Sequence, residues 1–339
     1  MTMLRRLFIL ASAGALVTAL TVLSADTASA ATKMVMSNYT QASTVKGKTF
    51  ERLKTLIEQN LKGEVEIELH QAGTLFSQKT EIQGLQLGST HLIAPTTGIF
   101  SSISKKINAM LLPYLLSTPK AINEAVNDPL IRKTFFEELE AKNVKPLTIW
   151  INGPRNISYK SKKPILVPAD MKGLKIRVQP ADIFIKTMKA FGANVISMNW
   201  GEVPAAIQQG VIDAAEPTPN ATVASKIYEL VNHITLNEYV YSYYIVATNK
   251  KWWEGLPNET RSKLEAALAG ATKWNWEATE AENEAAYKVM SDYGVKIHKL
   301  TPEQRQKWVD AVKPVWQELG NKVVGDEVMN RLKKIGGVM

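Results

Sequence analysis

The hydrophobic and polar positions along the chain change period several times, and each change marks a predicted strand or helix. Apolar residues alternate with polar ones in short runs, as on a half-buried strand. In the longer runs between them, apolar residues recur every three or four positions, as on a helix. The first series is predicted as strand 34–39, helix 49–61, strand 64–69, helix 79–88, strand 90–95 and strand 144–152. This β-α-β-α-β opening predicts a largely parallel sheet.

A second series begins near residue 154 and repeats this alternation of strands and helices. It is predicted as strand 174–178, helix 181–191, strand 195–198, helix 201–209, strand 211–215 and an extended run at 241–248. Two consecutive series predict an α/β protein of two lobes, with mostly parallel sheets flanked by helices and a cleft between the lobes.

A long uninterrupted helix is predicted after the second series. From Glu259 to about Ser291 the chain has no proline and a single glycine, Gly270, and it is rich in Ala, Glu and Lys. At 1.5 Å per residue such a helix extends on the order of 45 Å, which is long enough to brace both lobes.

Arg177 stands out because of its position in the second series. It lies in the stretch GLKIRVQP (173–180), where apolar and polar residues alternate, and Pro180 ends the strand before a helix begins. Open α/β sheets bind their ligands at the carboxyl ends of strands. The position therefore leaves two interpretations: a solvated surface charge, or an anion anchor in a cleft.

The first thirty residues have the pattern of a secretory signal peptide. Arg5 and Arg6 precede an uncharged apolar stretch from Leu7 to Leu23, and Ala28-Ser29-Ala30 supplies a small-residue cleavage site. We therefore expect an exported, periplasmic protein, and the pattern leaves open whether the general or the twin-arginine route carries it. The chain has no cysteine, which excludes disulfides, thiol chemistry and a lipid-anchored lipoprotein.

The charge of the chain is basic but scattered. The formal net charge is +9, and no basic run is longer than a pair or triplet. Nucleic-acid binding needs a clustered basic face, so no nucleic-acid partner is expected. A positive field modestly favours acidic small molecules.

The motifs of common exported enzymes are missing from the sequence. Its four histidines are isolated, with no HExxH spacing, and there is no GxSxG elbow and no GxxxxGK[ST] phosphate loop. A glycosidase with carboxylates distant in the chain stays open. The sequence therefore favours a binding protein without catalytic residues, cofactor or metal site, with an exported enzyme acting on acids as the alternative.

Several linked motifs resemble one family of receptors. They are AGTLFS with its following helix (72–88), GPR (153–155), GLKIRV, GANVISM (192–198), EVPAAIQQGVID (202–213) and NKKWWEGLP (249–257). In this order they are similar to the DctP-type solute-binding receptors of tripartite ATP-independent periplasmic (TRAP) transporters. The resemblance covers essentially the whole chain after residue 30.

The resemblance implies a clam-shell periplasmic binding protein that holds a small organic acid between its lobes. In that family the arginine of GLKIRV, here Arg177, pairs with the ligand carboxylate. Arg155 matches a second cleft arginine, Trp200 matches a bulky aromatic over the ligand, and Glu216 matches an acidic residue at a strand end.

The departures from the family pattern concern the second lobe. Pro217 stands where many relatives have Asn, so the contact that the side-chain amide of this Asn makes is lost. Asn220 is the candidate to replace it. Glu238-Tyr239 replaces a frequent Gly-His. With Trp200 and Tyr39, Tyr239 would suit a ligand that has a flat or apolar body.

The first lobe contributes further candidates at strand ends and helix starts. These are Asn38, Tyr39, Glu81, Thr96 and Thr97, which we expect to face the cleft.

The lobes are predicted to share the chain discontinuously. Lobe I takes residues 31–153 and about 240–270, and lobe II takes 154–239 and about 271–339. The expected partners are a small carboxylate ligand and the membrane subunits of a TRAP transporter, and the receptor itself is expected to be a monomer. A binding component of an ABC importer or of a sensory system is the alternative. The sequence names neither the acid nor a bound metal.

Overall fold

The computed structural model describes residues Ala31–Val338. The predicted signal peptide, residues 1–30, lies outside the described residues. None of the helices between Ala31 and Val338 is long and apolar enough to cross a membrane.

The first sheet has five strands in the order β2-β1-β3-β10-β4. Its strands are β1 (Thr32–Ser37), β2 (Val65–His70), β3 (Leu92–Ile93), β4 (Val144–Pro154) and β10 (Tyr241–Asn249). The helices of this half are α1 (Val45–Asn60), α2 (Glu81–Gln86), α3 (Pro119–Asn127), α4 (Pro129–Glu140) and α8 (Lys250–Glu254), with 3₁₀ segments at Thr97–Ser102 and Lys105–Leu111. The apolar face of α1, with Phe50 and Leu53, packs in one core cluster with Trp150 of β4.

The second sheet has six strands in the order β11-β9-β5-β8-β6-β7. Its strands are β5 (Ile157–Tyr159), β6 (Lys175–Val178), β7 (Asn194–Ser197), β8 (Ala214–Ala215), β9 (His233–Leu236) and β11 (Lys296–Lys299). The helices are α5 (Asp182–Ala190), α6 (Val203–Gln208) and α7 (Pro219–Ala224), with 3₁₀ segments at Pro168–Met171, Trp200–Glu202 and Ile227–Glu229.

The two sheets flanked by helices confirm the predicted fold class, and both sheets are mixed. Among the described strands, five pairings are parallel and four are antiparallel. Four of the parallel pairs lie within the predicted β-α-β series, whereas β9 and β11, which also pair in parallel, were not predicted from the sequence. The antiparallel pairs all involve β10 or β5, the strands that lie next to the passages of the chain from one sheet to the other.

The C-terminal helices connect the two halves through a common core. They are α10 (Pro302–Ala311), α11 (Lys313–Trp316) and α12 (Lys322–Gly336), with a π-helical turn at Gln317–Asn321. α11 packs on α5, whereas α12 packs on α3 and α4. One apolar cluster therefore includes Phe135 of α4, Phe184 of α5 and Leu332 of α12. The residue ranges given above for lobe I and lobe II stay a prediction.

The long helix α9 (Asn258–Tyr293) confirms the predicted brace, because it packs on α1, on β4 and on α7. It covers the outer edge of β4 with polar side chains one helical turn apart. Asn275 Oδ1 accepts a hydrogen bond from Ile151 N at 2.7 Å, and Thr279 Oγ1 donates to Ile151 O at 3.3 Å. Asn283 Nδ2 donates to Asn152 O at 3.0 Å. These bonds supply partners that a further strand would otherwise provide.

The chain passes between the sheets after β4 and before β10. At the first passage Gly153 has φ +121°, which side-chain-bearing residues rarely adopt. A Cβ at this position would overlap Nδ2 of Asn283. The glycine therefore permits both the backbone turn and the close approach of α9.

Gly153→Ala is expected to destabilise the protein by two effects, backbone strain of about 1–3 kcal/mol and displacement of Asn283. Gly173→Ala is the matched control, because Gly173 also has positive φ, +83°, but a Cβ there meets no atom within 4 Å. Urea unfolding should show a larger loss of unfolding free energy for Gly153→Ala. Equal losses in the two variants would contradict the role assigned to the Asn283 contact.

Candidate functional site

A small cavity lies between residues of the two halves of the molecule, with a volume of about 30 Å³. Its walls combine polar, charged and aromatic side chains from both halves of the molecule. They are Tyr39, Thr40, Gln78, Thr96, Asn152, Arg155, Arg177, Gln179, Trp200, Pro217, Thr218, Ala221 and Tyr244.

Arg177 is held at the carboxyl end of β6 by neutral acceptors. Its Nε and Nη2 donate to Met198 O at 3.1 and 2.8 Å, and Nη2 also donates to Gln78 Oε1 at 2.9 Å. Ile176 and Val178 point into the apolar core, so the alternation of the strand places Arg177 on the cavity side. Arg177 as a whole is 1% exposed.

Arg177 has no carboxylate partner within ion-pair distance among the described residues. Burial lowers the pKa of its guanidinium to about 10. The Glu216 carboxylate opposes this shift in part, and the neighbouring Arg155 charge adds to it. The group still carries its charge at neutral pH. A buried charge without a counter-ion is costly, so this wall favours an anion.

Arg155 is neutralised, in contrast to Arg177. Its Nε donates to Glu216 Oε2, and the hydroxyl of Tyr239 donates to the same oxygen. Burial alone would lower the pKa of Arg155, but the Glu216 carboxylate and Tyr239 raise it above its ordinary value. Glu216 is completely buried, so the three side chains form a compensated cluster, of which only Arg155 reaches the cavity wall.

Aromatic rings form much of the remaining wall. The Arg177 guanidinium lies 5.4 Å from the ring centroid of Trp200. On the opposite side are Tyr39 and Tyr244, and the ammonium of Lys46 lies 3.6 and 4.6 Å from their ring centroids. These cation–π contacts orient Arg177 and the tyrosine rings.

Side chains of the two walls are hydrogen-bonded to each other across the cleft. Trp200 Nε1 donates to Gln41 Oε1 at 3.3 Å, and Ser225 Oγ donates to the same oxygen at 3.0 Å. Gln78 Nε2 donates to Gln179 Oε1 at 3.2 Å. The structure therefore represents a closed cleft.

Of the predicted site residues, the structure brings Arg177, Arg155, Trp200, Tyr39 and Thr96 to the cavity wall. It does not bring six others there. Those six are Asn38, Glu81, Thr97, Glu216, Asn220 and Tyr239. Their roles as ligand contacts stay predictions, since each is engaged or buried behind the wall.

Three of these six serve the local structure. Asn38 Oδ1 accepts from the backbone and hydroxyl of Thr40 and so closes a turn. Thr97 Oγ1 donates to Tyr243 O at 3.0 Å. Asn220 Nδ2 donates to Asn152 O at 3.1 Å and thus supports a cavity residue from behind.

Glu81 lies in a buried pair with Lys46 behind the tyrosine wall. Burial raises the pKa of Glu81 to about 8 and lowers the pKa of Lys46 to about 7, and each charge partly offsets the shift of the other. The ammonium donates to Ala94 O at 3.1 Å, whereas neither carboxyl oxygen has a hydrogen-bond partner among the described residues.

Sequence reasoning missed several wall residues. Gln179 was detectable, because it follows Arg177 by two positions and so shares its strand face. Gln78 comes from an irregular segment before α2, where no period predicts the direction of a side chain. Asn152, Thr218 and Ala221 lie outside the quoted motifs and had no chemical signal that distinguished them.

The arrangement favours an anion, and the described residues form no recognisable metal site. Within Ala31–Val338, no three His, Asp or Glu side chains cluster as metal ligands would. The charged group that faces the cavity without a counter-ion is a guanidinium, which stays protonated and does not act as a nucleophile or base.

Comparisons with known proteins agree with this geometry. The family described as "Bacterial extracellular solute-binding protein, family 7" (DctP) matches residues 36–322. The C4-dicarboxylate-binding periplasmic protein DctP of Rhodobacter capsulatus is 32% identical over 84% of this chain and 85% of its own length. The protein of the same name from Vibrio cholerae is 33% identical over 83% and 84%.

Solved structures share the fold over most of the chain. A TRAP periplasmic solute-binding protein from Shewanella oneidensis with bound succinate has a TM-score of 0.86 at 26% identity, covering 91% of this chain and all of that one. The sugar acid binding protein DctPAm from Advenella mimigardefordensis, in complex with galactonate, has a TM-score of 0.85 at 24% identity, over 91% and 98%.

Glu216→Gln is expected to destabilise the protein by about 3–5 kcal/mol, because it leaves the buried Arg155 charge without its counter-ion. The measurement is the free energy of unfolding in urea. Glu265→Gln, at an exposed position on α9, is the control and should change it little. If Glu216→Gln is as stable as the control, the Arg155–Glu216 pair is not the compensated cluster described above.

Proposed function

The chain belongs to the DctP family of bacterial extracellular solute-binding proteins, and from this premise we propose that it captures a small organic acid in the closed cleft. Its family and its structural neighbours are solute-binding proteins of the TRAP type rather than enzymes. Arg177 is proposed to pair with the carboxylate of the acid.

The observation that carries this proposal is the buried charge of Arg177. A guanidinium presents a planar pair of N–H donors that matches the two oxygens of a carboxylate. In the closed cleft its hydrogen bonds go to a carbonyl and to an amide. The positive charge therefore stays available to a ligand, and a carboxylate would compensate it.

The relatives support an acid as the ligand class. The two DctP relatives are named for C4-dicarboxylate binding, and the Shewanella oneidensis structure contains succinate. The cavity of this chain is small, polar at Arg177 and aromatic at Trp200 and Tyr39. We propose a small organic acid whose charged end lies at Arg177.

The proposed mechanism is closure around the ligand and delivery to a membrane transporter. The acid binds Arg177 in an open cleft, and contacts from both walls then favour the closed form. Closure is stabilised only by contacts that the ligand makes better in that form. By analogy with the family, the loaded receptor works in the periplasm and passes the acid to the membrane subunits of a TRAP transporter.

A thermal-shift screen of residues 31–339 should identify the acid class. The panel contains succinate, L-malate, D-galactonate, pyruvate and benzoate, each with its amide as the uncharged control. A ligand at about 100 times its Kd adds roughly 2.7 kcal/mol to the unfolding free energy and raises Tm by several degrees. No shift with any acid, or equal shifts with the amides, would contradict the proposed function.

Arg177→Lys is expected to weaken binding of the best acid by at least about tenfold, because a lysine keeps the charge but loses the planar pair of donors. The measurement is Kd by calorimetry.

Lys175→Ala is the matched control for Arg177→Lys. It removes a cation from the same strand, two residues earlier, where the ammonium pairs with Asp213 outside the cavity. The control should bind like the wild type. Equal affinity of Arg177→Lys and wild type would remove Arg177 as the anchor.

A further inference from the structure

Gln179 lies on the cavity wall beside Arg177. It follows β6 directly, two residues after Arg177, so both side chains project from the same face of the extended chain. Its side chain is 1% exposed and lines the cavity. The proposed function has so far assigned it no role.

A chain of hydrogen bonds fixes the orientation of two amides at this wall. Arginine has donors only, so the atom of Gln78 that faces Arg177 at 2.9 Å is its oxygen. Its nitrogen then faces Gln179 at 3.2 Å and needs an acceptor, which makes the facing atom Gln179 Oε1. Thr96 Oγ1 donates to this same oxygen. Turning either amide around would bring two donors together.

The Nε2 group of Gln179 is therefore a hydrogen-bond donor that has a defined position and no partner among the described residues. The oxygen of Gln179 already accepts two hydrogen bonds, and its Nε2 is buried without any acceptor among the described residues. Buried polar groups in native proteins are nearly always paired. A donor of this kind, on the wall of a binding cavity, is a feature that a ligand acceptor would satisfy.

We propose that Gln179 is a specificity-determining residue, whose Nε2 donates a hydrogen bond to a second acceptor oxygen of the bound acid. The inference rests on the proposed function, in which Arg177 binds the carboxylate. Residues two apart on a strand have Cα atoms about 6.6 Å apart, so Gln179 reaches a different part of the ligand from Arg177. The ligand class is narrowed to acids with a second acceptor, namely a hydroxyl, an oxo group or another carboxylate.

Matched pairs of acids test this preference. The pairs are succinate with butyrate, 2-oxobutyrate with butyrate, and D-galactonate with hexanoate. In each pair the second acid keeps a carboxylate and loses the other acceptors. Calorimetry on the wild type should show that the first acid of each pair binds more tightly, because the second acid leaves Gln179 Nε2 unpaired. We expect the two Kd values to differ by about 10- to 100-fold.

Two variants isolate the contribution of Gln179. Gln179→Met keeps the length of the side chain and removes its donor. Gln179→Glu also removes the donor but keeps an acceptor for Gln78 and Thr96, so it preserves the network even if the methionine variant folds poorly. Gln209→Met is the control, because Gln209 is exposed at the end of α6 in the same half of the molecule.

The readout is the ratio of Kd values within the pair whose first member binds the wild type most tightly. We expect this ratio to fall about tenfold or more in both Gln179 variants and to stay unchanged in Gln209→Met. A purely structural role would weaken both acids equally and leave the ratio unchanged, which would overturn the inference alone. If the wild type binds none of the acids, the proposed function fails and the inference fails with it.

Discussion

A positive charge buried without a counter-ion at Arg177 is the constraint on which the cleft depends. The protein solvates this charge with the carbonyl of Met198 and the amide oxygen of Gln78, which are dipoles and leave the net charge in place. One dipole comes from the wall that carries Arg177 and the other from the opposite wall. Solvation of the charge and contact between the walls are therefore linked, because opening the cleft would replace the hydrogen bond from Arg177 to Gln78 by one to water.

Arg155, the second buried arginine at the cavity wall, differs from Arg177 because it has a carboxylate partner. Glu216 forms a buried ion pair with it, and the hydroxyl of Tyr239 donates to the same carboxylate oxygen. On the other side of the tyrosines, Lys46 and Glu81 are buried near each other, and each charge partly offsets the pKa shift of the other. Among the described residues that line the cavity, Arg177 is therefore the cation without an ion-pair partner.

The β-α-β units and the position of Arg177 near the end of a strand could be predicted from the sequence because both follow from local period, whereas β5, β9 and β11 were not recognised. Strand alternation placed Arg177, and the proline-free stretch gave the limits of α9 to within two residues. The contacts of Asn38, Thr97 and Tyr239 could not be predicted, since a strand end or a helix start does not determine which way the next side chain turns. The helices α3 and α4 were overlooked, although Asp128 before Pro129 is a helix-start signal.

The way α9 covers β4 has a consequence for association between molecules. β4 is the outermost strand of its sheet, and unpaired outer strands are templates on which a second chain can add and aggregate. Here Asn275 and Thr279 occupy the backbone groups of Ile151, and Pro146, nearer the start of the strand, has no N–H to offer. The brace that joins the two halves of the receptor thus also denies a neighbouring molecule a continuous strand edge.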